Sequence, residues 1–148
     1  MQMGAIVADA SIENQQKCYD FGRNLGIAFQ LQDDFLDVFG DPKTFGKQVG
    51  GDIIENKKTY LYLKAMALGS EADKRKLKTL YGKNSVHSDE KIATVLQVFE
   101  QTGAAEATNQ AIQDYTKAAF DVLNSLEIDP IKKEGLRDFG IQLMTRTS

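Results

Sequence analysis

Gln30, Asp33, Asp34 and Asp37 recur at offsets of three, four and seven, the spacing that puts residues on one stripe of an α-helix. Three carboxylates on one stripe repel one another. Burying an ionised carboxylate costs several kcal/mol unless something compensates, and bound cations would do so. Oxygen donors without histidine or thiolate select a hard ion such as Mg²⁺, which keeps waters and takes its remaining ligands from a phosphate group. The competing reading is an acidic patch solvated on a helix surface. Downstream stand the opposite charges, Lys47 after Gly46, then Lys57 and Lys58. A glycine-rich loop can fold back and bring such lysines toward cations held by the carboxylates, which is how a diphosphate would be gripped. Taken singly, each lysine also reads as ordinary surface charge.

Other motifs fail on spacing. Gly40 to Gly46-Lys47 has five intervening residues where a phosphate loop has four, and Gln48 stands where Ser or Thr would bind Mg²⁺. Asp33 to Asp41 lacks the alternating pattern and terminal Glu of a calcium-binding EF-hand loop. Gly22, Gly26 and Gly40 lack dinucleotide-binding spacing. The single histidine, His87, sits in a polar loop, and the single cysteine, Cys18, reads as a small buried or half-buried apolar residue. One cysteine excludes an internal disulfide and a cysteine-built zinc site.

The elements that would position these groups are helical. Ile12 to about Phe39 reads as one long helix, capped by Ser11 and stopped by Gly40-Asp41-Pro42. Residues 40–56 read as a glycine-rich loop, with a helix from about Lys57 to Leu68 ended by Gly69. Ser70 to Asp73 has capping-box spacing and predicts a short helix. A polar loop over 83–88 precedes a helix opened by Ser88-Asp89-Glu90, with Ile92, Val95, Leu96 and Phe99 at core spacing. Ala107, Ala111, Tyr115, Ala118, Val122 and Leu126 form a narrow apolar stripe on the next helix. Asp129 before Pro130 marks the start of the last. No segment alternates with period two, so the expected fold is all-α.

Length and composition fit a single domain: 148 residues, 42% apolar and 26% charged. A net charge of −3 gives no general attraction to nucleic acid. No apolar run reaches the ~20 residues of a membrane span and no signal-peptide pattern opens the chain, so no membrane anchor and a cytoplasmic location are expected. Two features suggest an incomplete domain. Gly4 to Ala8 looks like the end of an earlier helix, and from Leu25 to Phe39 the long helix is apolar nearly all round, as in the middle of a bundle. Self-association, as a homodimer or otherwise, is the corresponding expectation.

The run Gly26-Ile27-Ala28-Phe29-Gln30-Leu31-Gln32-Asp33-Asp34-Phe35-Leu36-Asp37 resembles the second aspartate-rich motif of the trans-isoprenyl diphosphate synthases, the family of farnesyl and geranylgeranyl diphosphate synthases. The similarity continues through Phe39-Gly40-Asp41-Pro42, Gly46-Lys47, Gly50-Gly51-Asp52-Ile53 and Asn56-Lys57-Lys58-Thr59. It runs on more weakly through Thr102-Gly103-Ala104 and from Tyr115 to Ala118. The resemblance implies the helical prenyltransferase bundle around a central cavity. It also implies condensation of isopentenyl diphosphate with an allylic prenyl diphosphate, with Mg²⁺ clamping the departing diphosphate. By that resemblance Asp33 is a direct metal ligand, and Asp34 and Asp37 act directly or through metal-bound water. Lys47 and Lys57 contact the allylic diphosphate, and Phe29 and Gln30 lie near the reacting carbons. Lys58 is the lesser candidate of its pair, because the loop here is one residue longer than in some relatives.

The departures from the family pattern are specific. The chain has no second DDxxD motif, no upstream basic motif for isopentenyl diphosphate and no Lys-Thr before Gly4-Ala5. Residues 1–148 are therefore expected to be the C-terminal part of a synthase domain whose N-terminal half is absent, inactive in isolation. A terpene cyclase-like diphosphate lyase and a non-catalytic regulatory subunit remain as alternatives. Asp33-Asp34-x-x-Asp37 favours chain elongation over the first, and the intact acidic and basic residues count against the second.

Overall fold

The computed structural model describes residues 11–40, 50–82 and 88–145. Gly4 to Ala8, Pro42, Gly46, Lys47 and His87 lie outside the described residues. Those described form seven helices and no strand: α1 (Ile12–Phe39), α2 (Gly51–Ile54), α3 (Tyr60–Leu68), α4 (Glu71–Leu80), α5 (Ser88–Gln101), α6 (Ala104–Ser125) and α7 (Pro130–Thr145). The all-α expectation holds.

Local chemistry explains most boundaries. Ser11 Oγ accepts the amide of Asn14 at 3.1 Å and starts α1. At the other end a side chain on Gly40 would place its Cβ 2.4 Å from the Leu36 carbonyl oxygen, so only glycine fits. Ser70 and Asp73 form the reciprocal capping box expected for α4. Asp129 Oδ1 accepts the Ile131 amide at 2.9 Å ahead of Pro130 in the first turn of α7.

Two boundaries differ from expectation. The helix expected from Lys57 begins at Tyr60, because Thr59 is extended and its side chain caps the Tyr62 amide. Lys57 and Lys58 therefore stand before that helix rather than in it. The loop expected over 40–56 contains the one-turn helix α2. On α6 the buried positions are Ala104, Thr108, Ala119 and Leu123, while Tyr115 is exposed, so the true stripe is rotated by about one residue from the apolar one. Thr108 can be buried because its hydroxyl donates to the Ala104 carbonyl at 2.8 Å, which removes the cost of its polarity.

The chain divides into two compact units, with α1 and α6 each running through both. In the first, Cys18, Phe21 and Leu25 of α1 pack with Ala119, Leu123 and Leu126, flanked by Leu136, Leu143 and Met144 from α7. Burial pushes the Cys18 thiol above its ordinary value, consistent with a small core residue. Asn14 reads both backbone groups of Glu127, donating to its carbonyl at 2.8 Å and accepting its amide at 3.3 Å. Lys133 donates to the Asn124 and Leu126 carbonyls, satisfying the end of α6. In the second unit, Val38 and Ile53 join Leu61, Leu77, Val95 and Phe99 in one core, and α2 packs on α5.

A carboxylate and lysine cluster as candidate diphosphate site

Within the second unit the last turns of α1 meet α2. Asp34 is 8% exposed, whereas Asp33 and Asp37 are half-buried. The carboxylate of Asp37 accepts the backbone amide of Asp52 at 2.9 Å, and its carbonyl accepts that of Gly50 at 2.6 Å. Gly50 adopts φ +91°, which glycine reaches without strain, and this turns the chain into α2. A Cβ there would also lie 2.8 Å from Ile92 Cδ1 of α5. The approach of Ile92 therefore requires glycine a second time.

Helix α2 ends as a Schellman motif. The Asn56 amide donates to the Ile53 carbonyl at 3.1 Å and the Lys57 amide to the Asp52 carbonyl at 2.9 Å, with Asn56 at φ 58°. This turn delivers Lys57 back toward the acids. Its ammonium lies 3.6 Å from an Asp34 oxygen and 3.8 Å from an Asp52 oxygen. Lys58 points elsewhere, 6.0 Å from the ring centroid of Tyr62, which stacks 4.5 Å from Tyr81. Burial, then Tyr62 and Asp52, push the Tyr81 phenol well above its ordinary value.

Asp34, Asp37 and Lys57 are thus brought into one cluster. Asp33 shares their helix end, and Phe29 and Gln30 lie one turn earlier on α1, half-buried and exposed respectively. Lys47 lies outside the described residues. Asp52 is the participant that sequence reasoning omitted from the site. It stood in the matched run Gly50-Gly51-Asp52-Ile53, but only the fold shows that its amide, carbonyl and carboxylate all engage site residues. Among the described residues no three acidic, histidine or cysteine side chains converge as a ready cage for a metal ion. The donor set nevertheless suits Mg²⁺, which is commonly held by one or two carboxylates with waters and substrate phosphates completing its shell. Every candidate ligand here is a carboxylate oxygen, and Lys57 stands beside two of them as a second anion-binding charge.

The polyprenyl synthetase family model matches residues 1–99, and the chain belongs to that family. A short chain isoprenyl diphosphate synthase of Methanothermobacter thermautotrophicus is 38% identical over 84% of this chain and 37% of its own length. A crystal structure of a geranylgeranyl pyrophosphate synthase superposes with TM-score 0.85 and 50% identity, covering 99% of this chain and 46% of the other. One from Corynebacterium glutamicum, complexed with isoprenyl diphosphate and magnesium, gives 0.81 and 34%, covering 97% and 40%. The chain thus spans less than half the length of these relatives. No described helix is long and apolar enough to cross a membrane.

Proposed function

We propose that this chain supplies the second acidic motif of a Mg²⁺-dependent trans-isoprenyl diphosphate synthase, an enzyme that condenses isopentenyl diphosphate with an allylic prenyl diphosphate. The observation that carries the reading is the Lys57 ammonium placed between Asp34 and Asp52, beside the Asp37 link to α2. In such a reaction the allylic C–O bond ionises, the isopentenyl double bond attacks the carbocation, a proton is lost and pyrophosphate leaves. Bound Mg²⁺ would neutralise charge developing on the leaving diphosphate. Asp33, Asp34 and Asp37 would hold the ions. Lys57, with Lys47, would contact the diphosphate directly, and Phe29 and Gln30 would face the reacting carbons.

We read residues 1–148 as the C-terminal part of a longer, cytoplasmic synthase; the share of its relatives that the chain covers supports the longer protein. Homodimerisation is part of the proposal, supported by apolar side chains exposed on the first unit, including Ile131 and Phe139.

Steady-state kinetics with labelled isopentenyl diphosphate test the reading. Asp33→Ala in the whole synthase is expected to lower kcat by roughly two to four orders of magnitude, because its contact strengthens as the diphosphate departs. Asp37→Ala, whose carboxylate already serves α2, should do less harm. Lys57→Ala should chiefly raise KM for the allylic substrate, since that lysine grips the ground state as well. Near-normal turnover in Asp33→Ala would return the acidic stripe to a solvated patch. Condensation by the 148-residue chain alone would refute its assignment as an incomplete site.

A further inference from the structure

Lys91, on the first turn of α5, is 2% exposed. Its ammonium donates to the Asn56 side-chain oxygen and lies 5.4 Å from the centroid of the Tyr81 ring. No carboxylate of the described residues pairs with it, and burial alone pulls its pKa below the ordinary lysine value. A buried charge of this kind is a poor stabiliser, and an apolar side chain of similar size would serve the core as well or better. Its placement has a different consequence. Asn56 is the left-handed residue of the Schellman turn, and that turn brings Lys57 toward Asp34 and Asp52. Asparagine tolerates the left-handed region, but on an exposed turn nothing in its backbone preference holds it there. The neighbouring Ile92 packs on Gly50 at the other end of α2. Successive residues of α5 therefore secure the entry and the exit of the same short helix.

We propose that Lys91 is a positioning residue for the diphosphate site: by holding the Asn56 side-chain oxygen it fixes the turn that aims Lys57 at the acidic cluster. The proposal rests on the function proposed above, and it assigns Lys91 no contact with substrate or metal. It predicts that stability and site geometry respond oppositely to loss of the charge. A residue that merely filled the core would move both together.

The test uses the 148-residue chain with Lys91→Met, Lys91→Arg and Asn56→Gly. Lys91→Met should unfold at the same temperature as wild type or higher. The Asn56 and Lys57 amides, both bonded within the turn, should exchange with solvent about tenfold faster, as expected for loss of one charge-assisted hydrogen bond. Magnesium pyrophosphate affinity, measured by calorimetry, should weaken by a similar factor. Lys91→Arg should restore much of both, since arginine can donate to Asn56 and stack on the tyrosine. Asn56→Gly permits the same backbone but removes the acceptor, so it should reproduce the Lys91→Met exchange pattern, and it decides the matter if Lys91→Met fails to fold. Wild-type exchange at Asn56 and Lys57 in Asn56→Gly, or faster exchange only in step with a lowered unfolding temperature across the whole second unit, would overturn the proposal. Absence of magnesium pyrophosphate binding by the wild-type chain would follow from the proposed lack of the facing half of the site, and the exchange rates alone then decide the role of Lys91.

Discussion

Replacing Gly50 by alanine probes the joint on which the acidic cluster depends. Two separate costs can be read from the structure. At φ +91° an L-residue pays roughly 1–2 kcal/mol for left-handed backbone. The new Cβ would also stand 2.8 Å from Ile92 Cδ1 and 2.9 Å from Cγ1, an overpacking that costs about 1–3 kcal/mol in a well-packed site. Together they predict a loss of about 2–5 kcal/mol, or roughly 5–15 °C in unfolding midpoint for a chain of this length. Calorimetry on Gly50→Ala, Ile92→Ala and the double variant separates the terms. The steric part should vanish in the double variant, giving a favourable coupling of about 1–3 kcal/mol, whereas the backbone part should persist. Because the Gly50 amide donates to the Asp37 carbonyl, the single variant should also perturb the Asp52 amide resonance, which reports on the Asp37 carboxylate. A midpoint within 1 °C of wild type, or no coupling to Ile92, would refute the account.

Two further outcomes follow from the helix ends and the first core. The Asp73 carboxylate accepts the Ser70 amide, which holds its pKa below the ordinary 3.8, with smaller contributions from the Ser70 and Gln101 side chains. A depressed carboxylate pKa stabilises the fold above the unfolded value, and this stabilisation is lost as pH falls through the folded one. Asp73→Asn should thus be less stable than wild type at neutral pH and converge with it below pH 3.8, as followed by acid unfolding. In the first unit a Cβ on Gly140 would lie 2.9 Å from Phe120 Cζ, whose ring meets Phe21 edge-on. Gly140→Val should therefore cost about 1–3 kcal/mol in thermal or urea unfolding, even though valine is the better helix former.

What could be read from residue types and what could not divide along physical lines. Three helix starts were legible from caps lying in sequence beside the element they cap, whereas Thr59, an equally local cap, was hidden by the charged pair Lys57-Lys58 before it. Ser11, the Ser70 to Asp73 box and Asp129 before Pro130 all act where expected. Local hydrogen-bond chemistry leaves little for the rest of the fold to decide. The stripe on α6 was misplaced because alanine carries little burial signal, while a threonine that bonds its own helix carbonyl is as acceptable inside as an alanine. The acidic motif was legible as a stripe, since offsets of three, four and seven fix a helix face whatever packs on it. The partners that hold it in place were not, because they come from α2 and α5. Asp52 binds Asp37 through a backbone amide, which no side-chain pattern encodes. Lys91 reads as the polar residue before the apolar stripe of an amphipathic helix, and only the approach of Asn56 and Tyr81 turns that position into a buried one. The acids and Lys57 carry the proposed class of ligand in their own spacing and charge. The residues that hold them in place announce nothing, because any side chain of suitable size and donor capacity would serve in sequence, and only their position against α2 makes them part of the site.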